Sequence, residues 1–130
     1  MFFALDKVGF AYDNGQPVLE DLSLVIERGQ AVALVGANGS GKTTVLNLLA
    51  GIHKASSGQV IFKEQALSAD RFKDQAYMKA FHKDVGIVFQ RADSQLFCPS
   101  VYEEIAFGLR QMGLSQDQVD QRVHDMEALL

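Results

Sequence analysis

Lys42 and Thr43 carry the clearest chemistry in this chain. They belong to the run Gly36-Ala37-Asn38-Gly39-Ser40-Gly41-Lys42-Thr43-Thr44, which matches G-x-x-x-x-G-K-[ST] at Gly36, Gly41, Lys42 and Thr43. A lysine at this place reaches the β and γ phosphates of a nucleotide. The Thr43 hydroxyl takes a magnesium ion that bridges those phosphates. Asn38, Gly39, Ser40 and Gly41 offer mainly backbone N–H groups, and Thr44 offers a second hydroxyl near the α-phosphate. The competing reading is a glycine-rich turn with no ligand. At average composition the bare pattern arises in roughly one chain of this length in a few hundred, so the flanking elements have to decide.

They favour phosphate binding. Ala31-Val32-Ala33-Leu34-Val35, just before the loop, is apolar and partly β-branched, as a buried parallel strand is. Val45-Leu46-Asn47-Leu48-Leu49-Ala50, just after it, is helix-compatible. A helix N-terminus presents unpaired N–H groups and about half a positive charge. Glycines let the preceding backbone curl so that several N–H groups converge on one anion.

The totals set the class. The 130 residues suit one domain, and 48% apolar with 22% charged residues is ordinary globular composition. A net charge of −4 argues against a nucleic-acid partner, which calls for a basic face. No apolar run is long enough to span a bilayer, and Met1–Leu5 is too short for a signal peptide. Cys98 is the only cysteine, so no internal disulfide forms and a reducing cytosol is the natural compartment. With no base beside it, Cys98 reads as a small apolar residue. His53, His82 and His124 lack metal-ligand spacing and read as surface residues.

Along the chain, Phe2–Tyr12 and Val18–Glu27 read as an antiparallel hairpin around the turn Asp13–Pro17. Gly51 stands where a C′ glycine ends the first helix. Gln59–Lys63 is a short strand, and Leu67–Lys83 an exposed loop with a short helix over Gln75–Phe81. Val85–Phe89 reads as a second buried strand, closed by Gln90. Ser100 and Glu103 form a capping box that opens a helix to about Met112, ended by Gly113. Ser115 and Gln118 form another, before a helix with Val119, Val123, Met126 and Leu130 on one apolar face. The first-turn acids Glu103 and Glu104 suit the helix dipole better than catalysis.

With Tyr12 at the end of the first strand, Gln90, Asp93-Ser94-Gln95-Leu96-Phe97 and Ala106-Phe107-Gly108, the chain resembles the ATP-binding cassette (ABC) ATPases over nearly its whole length. Val85–Gly108 looks most like the energy-coupling-factor group, which takes up cobalt, nickel and vitamins. The resemblance implies an α/β fold: a P-loop NTPase core with a parallel sheet and helices, preceded by an antiparallel β subdomain and followed by the start of a helical subdomain. It divides the chain into an antiparallel region 1–30, a nucleotide-binding core 31–90 with its loop at 36–44, and a region 91–130 holding the Q-loop and the first helices.

The resemblance also implies roles. Tyr12 is similar to the aromatic residue that stacks on adenine, a contact worth about 1–3 kcal/mol in nucleic-acid systems. Its bland alternative is an ordinary strand aromatic. Gln90 resembles the Q-loop glutamine, which contacts magnesium or the attacking water, and the alternative is a polar residue that merely ends a strand. Segment 91–102 would face a transmembrane transporter subunit, with Leu96 and Phe97 either at that interface or capping local packing. ATP and Mg2+ are the implied ligands. A second ATPase subunit, identical or different, is the implied partner, and the cytoplasmic face of a membrane the implied location.

The family pattern also holds a Leu-Ser-Gly-Gly-Gln-type signature, an apolar strand ending in Asp-Glu, and a switch histidine. None stands within these 130 residues. The expectation is the leading part of a longer ATPase, able to bind ATP but lacking the carboxylates for turnover. A non-hydrolysing nucleotide-binding fragment with no transport role is the alternative. A small P-loop kinase is disfavoured by the antiparallel opening, by Tyr12 and by Gln90.

Overall fold

The computed structural model describes residues 1–91 and 93–130, with Ser94 described by its backbone. The chain divides into two units, Met1–Val85 and Gly86–Leu130, and each is described by itself.

The first unit is built around one strand. β1 (Phe3–Ala11) is rich in Phe and Val and is buried at Phe3, Ala4, Leu5, Val8 and Phe10. It pairs antiparallel with β2 (Pro17–Ile26) on one side and with β3 (Ser57–Phe62) on the other. β4 (Gln65–Ala66) adds to β3, giving the order β2-β1-β3-β4. The expected hairpin is therefore present, and β3 joins the same antiparallel sheet. α1 (Lys42–Leu49) lays Val45 and Leu48 on Leu5, Val8, Phe10 and Val60. Leu48 is fully buried there, a burial worth about 1.5–3 kcal/mol. Gly51, at φ +71°, ends this helix as expected.

A second cluster joins Phe3 and Phe62 to Phe81 of α3 (Gln75–Asp84). α2 (Ala69–Lys73) occupies what the sequence reads as loop, and Asp74 caps α3 by accepting from the N–H groups of Ala76 and Tyr77. At the far end of α3, Lys63 bonds Asp84 at 2.6 Å. That bond, and then the lysine charge, hold the Asp84 carboxyl below its ordinary value of 3.8. A carboxyl depressed in the folded state contributes stability above its unfolded pKa and loses it as pH falls through the folded value. Asp84→Asn is therefore expected to lower the melting temperature slightly at neutral pH. The gap from wild type should close on acidification below the carboxylate range. A gap that stays constant with pH in paired melting curves would contradict the assignment.

Two expected strands do not form. Ala31–Val35 and Val85–Phe89 lie in no strand, and Val35 and Val88 are each 94% exposed. A parallel strand draws its stability from a hydrogen-bonded neighbour on each side and covering helices on each face. Among the described residues no strand lies alongside either segment, so their apolar, β-branched character alone does not order them. The α/β class stands, carried by the antiparallel sheet and its helices.

The second unit contains a short 3-10 turn (Asp93–Gln95), α4 (Val101–Gln111) and α5 (Gln116–Leu129). Ala106 packs on Val119 and Val123, two of the four residues expected on the apolar face of α5. The other two, Met126 and Leu130, are 45% and 91% exposed. The capping box at Ser115 and Gln118 is complete. The one expected at Ser100 is half made: Ser100 accepts from the Glu103 N–H, but the Glu103 carboxylate takes the Arg110 guanidinium at 2.6 Å. A charge-assisted bond outcompetes the return bond to a backbone amide. Ala92, within the expected partner segment 91–102, lies outside the described residues.

Candidate functional site

The site is assembled at the N-terminus of α1. Gly41 is its N-cap, in the left-handed region at φ +92°. A Cβ there would come within 2.9 Å of the Leu19 side chain and 3.4 Å of Val18, so glycine meets both a conformational and a packing demand. No side chain caps this helix and no acidic residue stands in its first turn. The longer helices α3, α4 and α5 take caps from Asp74, Ser100 and Ser115. The positive end of α1 thus has neither a capping side chain nor a first-turn acid beside it.

Lys42 folds back across the loop. Its ammonium donates to the carbonyl oxygens of Gly36 at 2.8 Å and Ala37 at 2.6 Å, and to Ser40 Oγ at 3.3 Å. An ammonium has three donors, so two fasten the loop entrance to the helix and the third rests on the longest, weakest bond. The Ser40 contact is the one an incoming phosphate oxygen can replace without undoing the loop. The Ser40 N–H bonds the Ala37 carbonyl at 3.2 Å and tightens the same turn. Asn38 and Gly39 form its tip, Gly39 at φ +81°.

Thr43 and Thr44 point to different surroundings. Thr43 is exposed, whereas Thr44 is 4% exposed. The Thr44 hydroxyl lies 3.2 Å from the Tyr12 hydroxyl, so this contact brings the end of β1 to the first turn of α1. Tyr12 itself is 44% exposed. Its ring is edge-on to Phe10 at 4.9 Å and to His53 at 5.6 Å, while His53 stacks on Phe10 at 5.0 Å with planes 20° apart. Read from the sequence, His53 is a lone surface residue; in the structure it belongs to this ring cluster. The local signal was its place two residues past Gly51, where the chain turns back after the helix.

Tyr12 and the residues from Gly36 to Thr44 are therefore gathered in the first unit. Gln90 belongs to the second and is exposed. Among the described residues no cluster of His, Cys, Asp or Glu could hold a metal on its own. The donors present suit a magnesium ion only as a companion to phosphate: one exposed threonine hydroxyl, with the remaining oxygens from phosphate and water.

The chain matches the ABC transporter family model over residues 19–130. The chain belongs to the ABC transporter family. It is 43% identical over 121 residues to the nickel import ATP-binding protein NikO of Rhodobacter capsulatus, covering 93% of this chain and 47% of that protein. It is 40% identical over 119 residues to the energy-coupling factor transporter ATP-binding protein EcfA of Methanothermobacter thermautotrophicus, covering 92% of this chain and 37% of that one. Among solved structures it resembles cbiO1 of Clostridium perfringens, part of the ABC transporter complex cbiONQ. The TM-score is 0.79 and the identity 31%, over 95% of this chain and 48% of cbiO1. The chain spans less than half the length of these two relatives, at 47% and 37%. Its α/β fold is that of an ABC ATPase over the aligned part. Among the described residues no helix is long and apolar enough to cross a membrane, and the relatives are ATP-binding components of transporters.

Proposed function

We propose that this chain is the nucleotide-binding portion of the ATP-binding subunit of an energy-coupling-factor-type importer for cobalt, nickel or a vitamin. The observation that carries the reading is the Gly36–Thr44 loop, with Lys42 fastened to its entrance at the uncapped start of α1. The kinship with EcfA, NikO and cbiO1 supports the transporter class.

In this reading the loop amides from Asn38 to Gly41 bind the outer phosphates of ATP and Lys42 neutralises them. Thr43 would ligate a magnesium ion bound with the nucleotide, and Thr44 holds Tyr12 beside the base. Magnesium, when bound, offsets charge on the β and γ oxygens. Gln90, in the second unit, would carry the Q-loop role that the family resemblance implies. Segment 91–102 docks on a membrane subunit at the cytoplasmic face, and a second ATPase subunit closes the site from the other side. These 130 residues contain neither a signature sequence nor an Asp-Glu strand end, so the chain by itself binds ATP without turning it over.

Two assays on one preparation test this. Equilibrium titration is expected to show saturable ATP binding that tightens with magnesium, while phosphate release stays at the protein-free rate. Absence of binding in a folded chain overturns the nucleotide-site reading. Sustained phosphate release overturns the claim that the chain alone does not hydrolyse.

A further inference from the structure

We propose that His53 is a positioning residue for the base end of this site: together with Phe10 it holds the Tyr12 ring in the orientation on which adenine stacks. The inference rests on the reading of Tyr12 as the base platform. It starts from the way one short helix grips Tyr12 at both of its ends.

At the first turn of α1, the Thr44 hydroxyl meets the Tyr12 hydroxyl at 3.2 Å. Past the last turn, the Asn47 carbonyl accepts from the N–H groups of both Ile52 and His53, at 2.9 and 3.2 Å. Those two bonds tie the His53 backbone to the helix end. The imidazole then stacks on Phe10, which is 8% exposed and anchored in the core, and presents an edge-on contact to Tyr12. The helix that carries the phosphate loop thus sets the place of the aromatic residue at the other end of the nucleotide.

The physical need is plain. A tyrosine at a strand end with 44% of its surface exposed retains rotamer freedom unless neighbours restrict it. Ordering such a side chain on binding costs about 0.5–1.5 kcal/mol. The hydroxyl bond to Thr44 fixes the tip of the ring but leaves its plane to the neighbouring rings. Edge-to-face pairs restrict that plane, and each is worth about as much as the ordering cost. His53 therefore acts on binding of the base and not of the phosphates, because its ring contacts are with Phe10 and Tyr12.

The test compares ATP with inorganic triphosphate by titration calorimetry on wild type, His53→Ala, His53→Phe, Tyr12→Ala and the Tyr12/His53 double variant. His53→Ala is expected to weaken ATP about 3- to 10-fold and to leave triphosphate unchanged. His53→Phe, which keeps a stacked ring, restores ATP to within about twofold. In the double variant, loss of His53 adds nothing to loss of Tyr12. An unchanged ratio of ATP to triphosphate in His53→Ala, beside a lowered ratio in Tyr12→Ala, overturns the role of His53 and leaves the platform reading intact. An unchanged ratio in Tyr12→Ala overturns the platform, and the inference with it. Equal loss of both ligands in His53→Ala and His53→Phe makes His53 a packing residue only. A full additional loss in the double variant shows that it acts independently of Tyr12, which also overturns the proposal.

Discussion

Lys42→Ala is expected to weaken magnesium–ATP binding about 30- to 100-fold, the largest functional effect of any single change in this chain. Two losses combine. The ammonium that would face the β and γ phosphates is removed, and a hydrogen bond involving a charged group contributes about 1.5–3 kcal/mol, or roughly 10- to 100-fold. The bonds to the Gly36 and Ala37 carbonyls, at 2.8 and 2.6 Å, also vanish. The loop entrance is then untied from α1, and part of the binding energy must re-form it. Ser40→Ala is the control. Its oxygen makes the weakest of the three contacts to Lys42, at 3.3 Å, so its loss should change affinity only a few-fold. Calorimetric titration of both variants, with circular dichroism to establish that each is folded, decides the matter. A folded Lys42→Ala chain that binds as tightly as wild type would remove Lys42 from the site.

The largest effect on stability is expected at Gly58, a residue with no proposed role in binding. β1 takes three steps from Asp6 to Gly9 while β3 takes two from Gln59 to Ser57. The extra residue on β1 makes a bulge, and Lys7 within it has φ +49°. Gly58 faces that bulge with φ +70°, and a Cβ on it would lie 2.2 Å from the Lys7 carbonyl oxygen and 2.4 Å from that of Asp6. Those are backbone atoms and cannot swing away. Gly58→Ala therefore combines left-handed strain with a clash that only a shift of the β1–β3 ladder relieves. The expected cost is about 3–5 kcal/mol, a large share of a small domain's stability. Gly15→Ala isolates the strain alone, because Gly15 has φ +77° with nothing within 4 Å of the added carbon. Its cost should stay near 1 kcal/mol. Urea denaturation of the two variants measures both numbers. Equal costs would mean that the ladder accommodates the methyl group and that the bulge does not constrain Gly58.

Lys42 and Gly58 illustrate two kinds of legibility. Lys42 was visible from spacing alone, since a loop that wraps an anion is a local object made of consecutive residues. The same holds for the caps at Ser100 and Ser115, for Gly51 at the end of α1, and for the hairpin of β1 and β2. Each depends on partners within a few residues along the chain or on a single turn. The Tyr12 contact with Thr44 lay further off, between residues 32 apart. The family resemblance pointed to Tyr12, and the physical reason for its placement came only with the packing of α1 on β1.

Tertiary structure decided the rest. Ala31–Val35 and Val85–Phe89 have the composition of buried strands, but a strand is a relation between chains of backbone donors and acceptors. With no strand alongside them among the described residues, both run unpaired. Glu103 had the right spacing to complete a capping box, and Arg110, seven residues on, took its carboxylate instead. His53 had no motif around it, and only the return of the chain after α1 set its ring on Phe10 and beside Tyr12. The amino-acid sequence by itself determined the phosphate loop, the helix ends and the first hairpin, because their energetics close over a few neighbouring residues. The tertiary structure alone decided which strands exist, which acid binds which base and which ring supports which, because those energies belong to pairs that distance along the chain does not reveal.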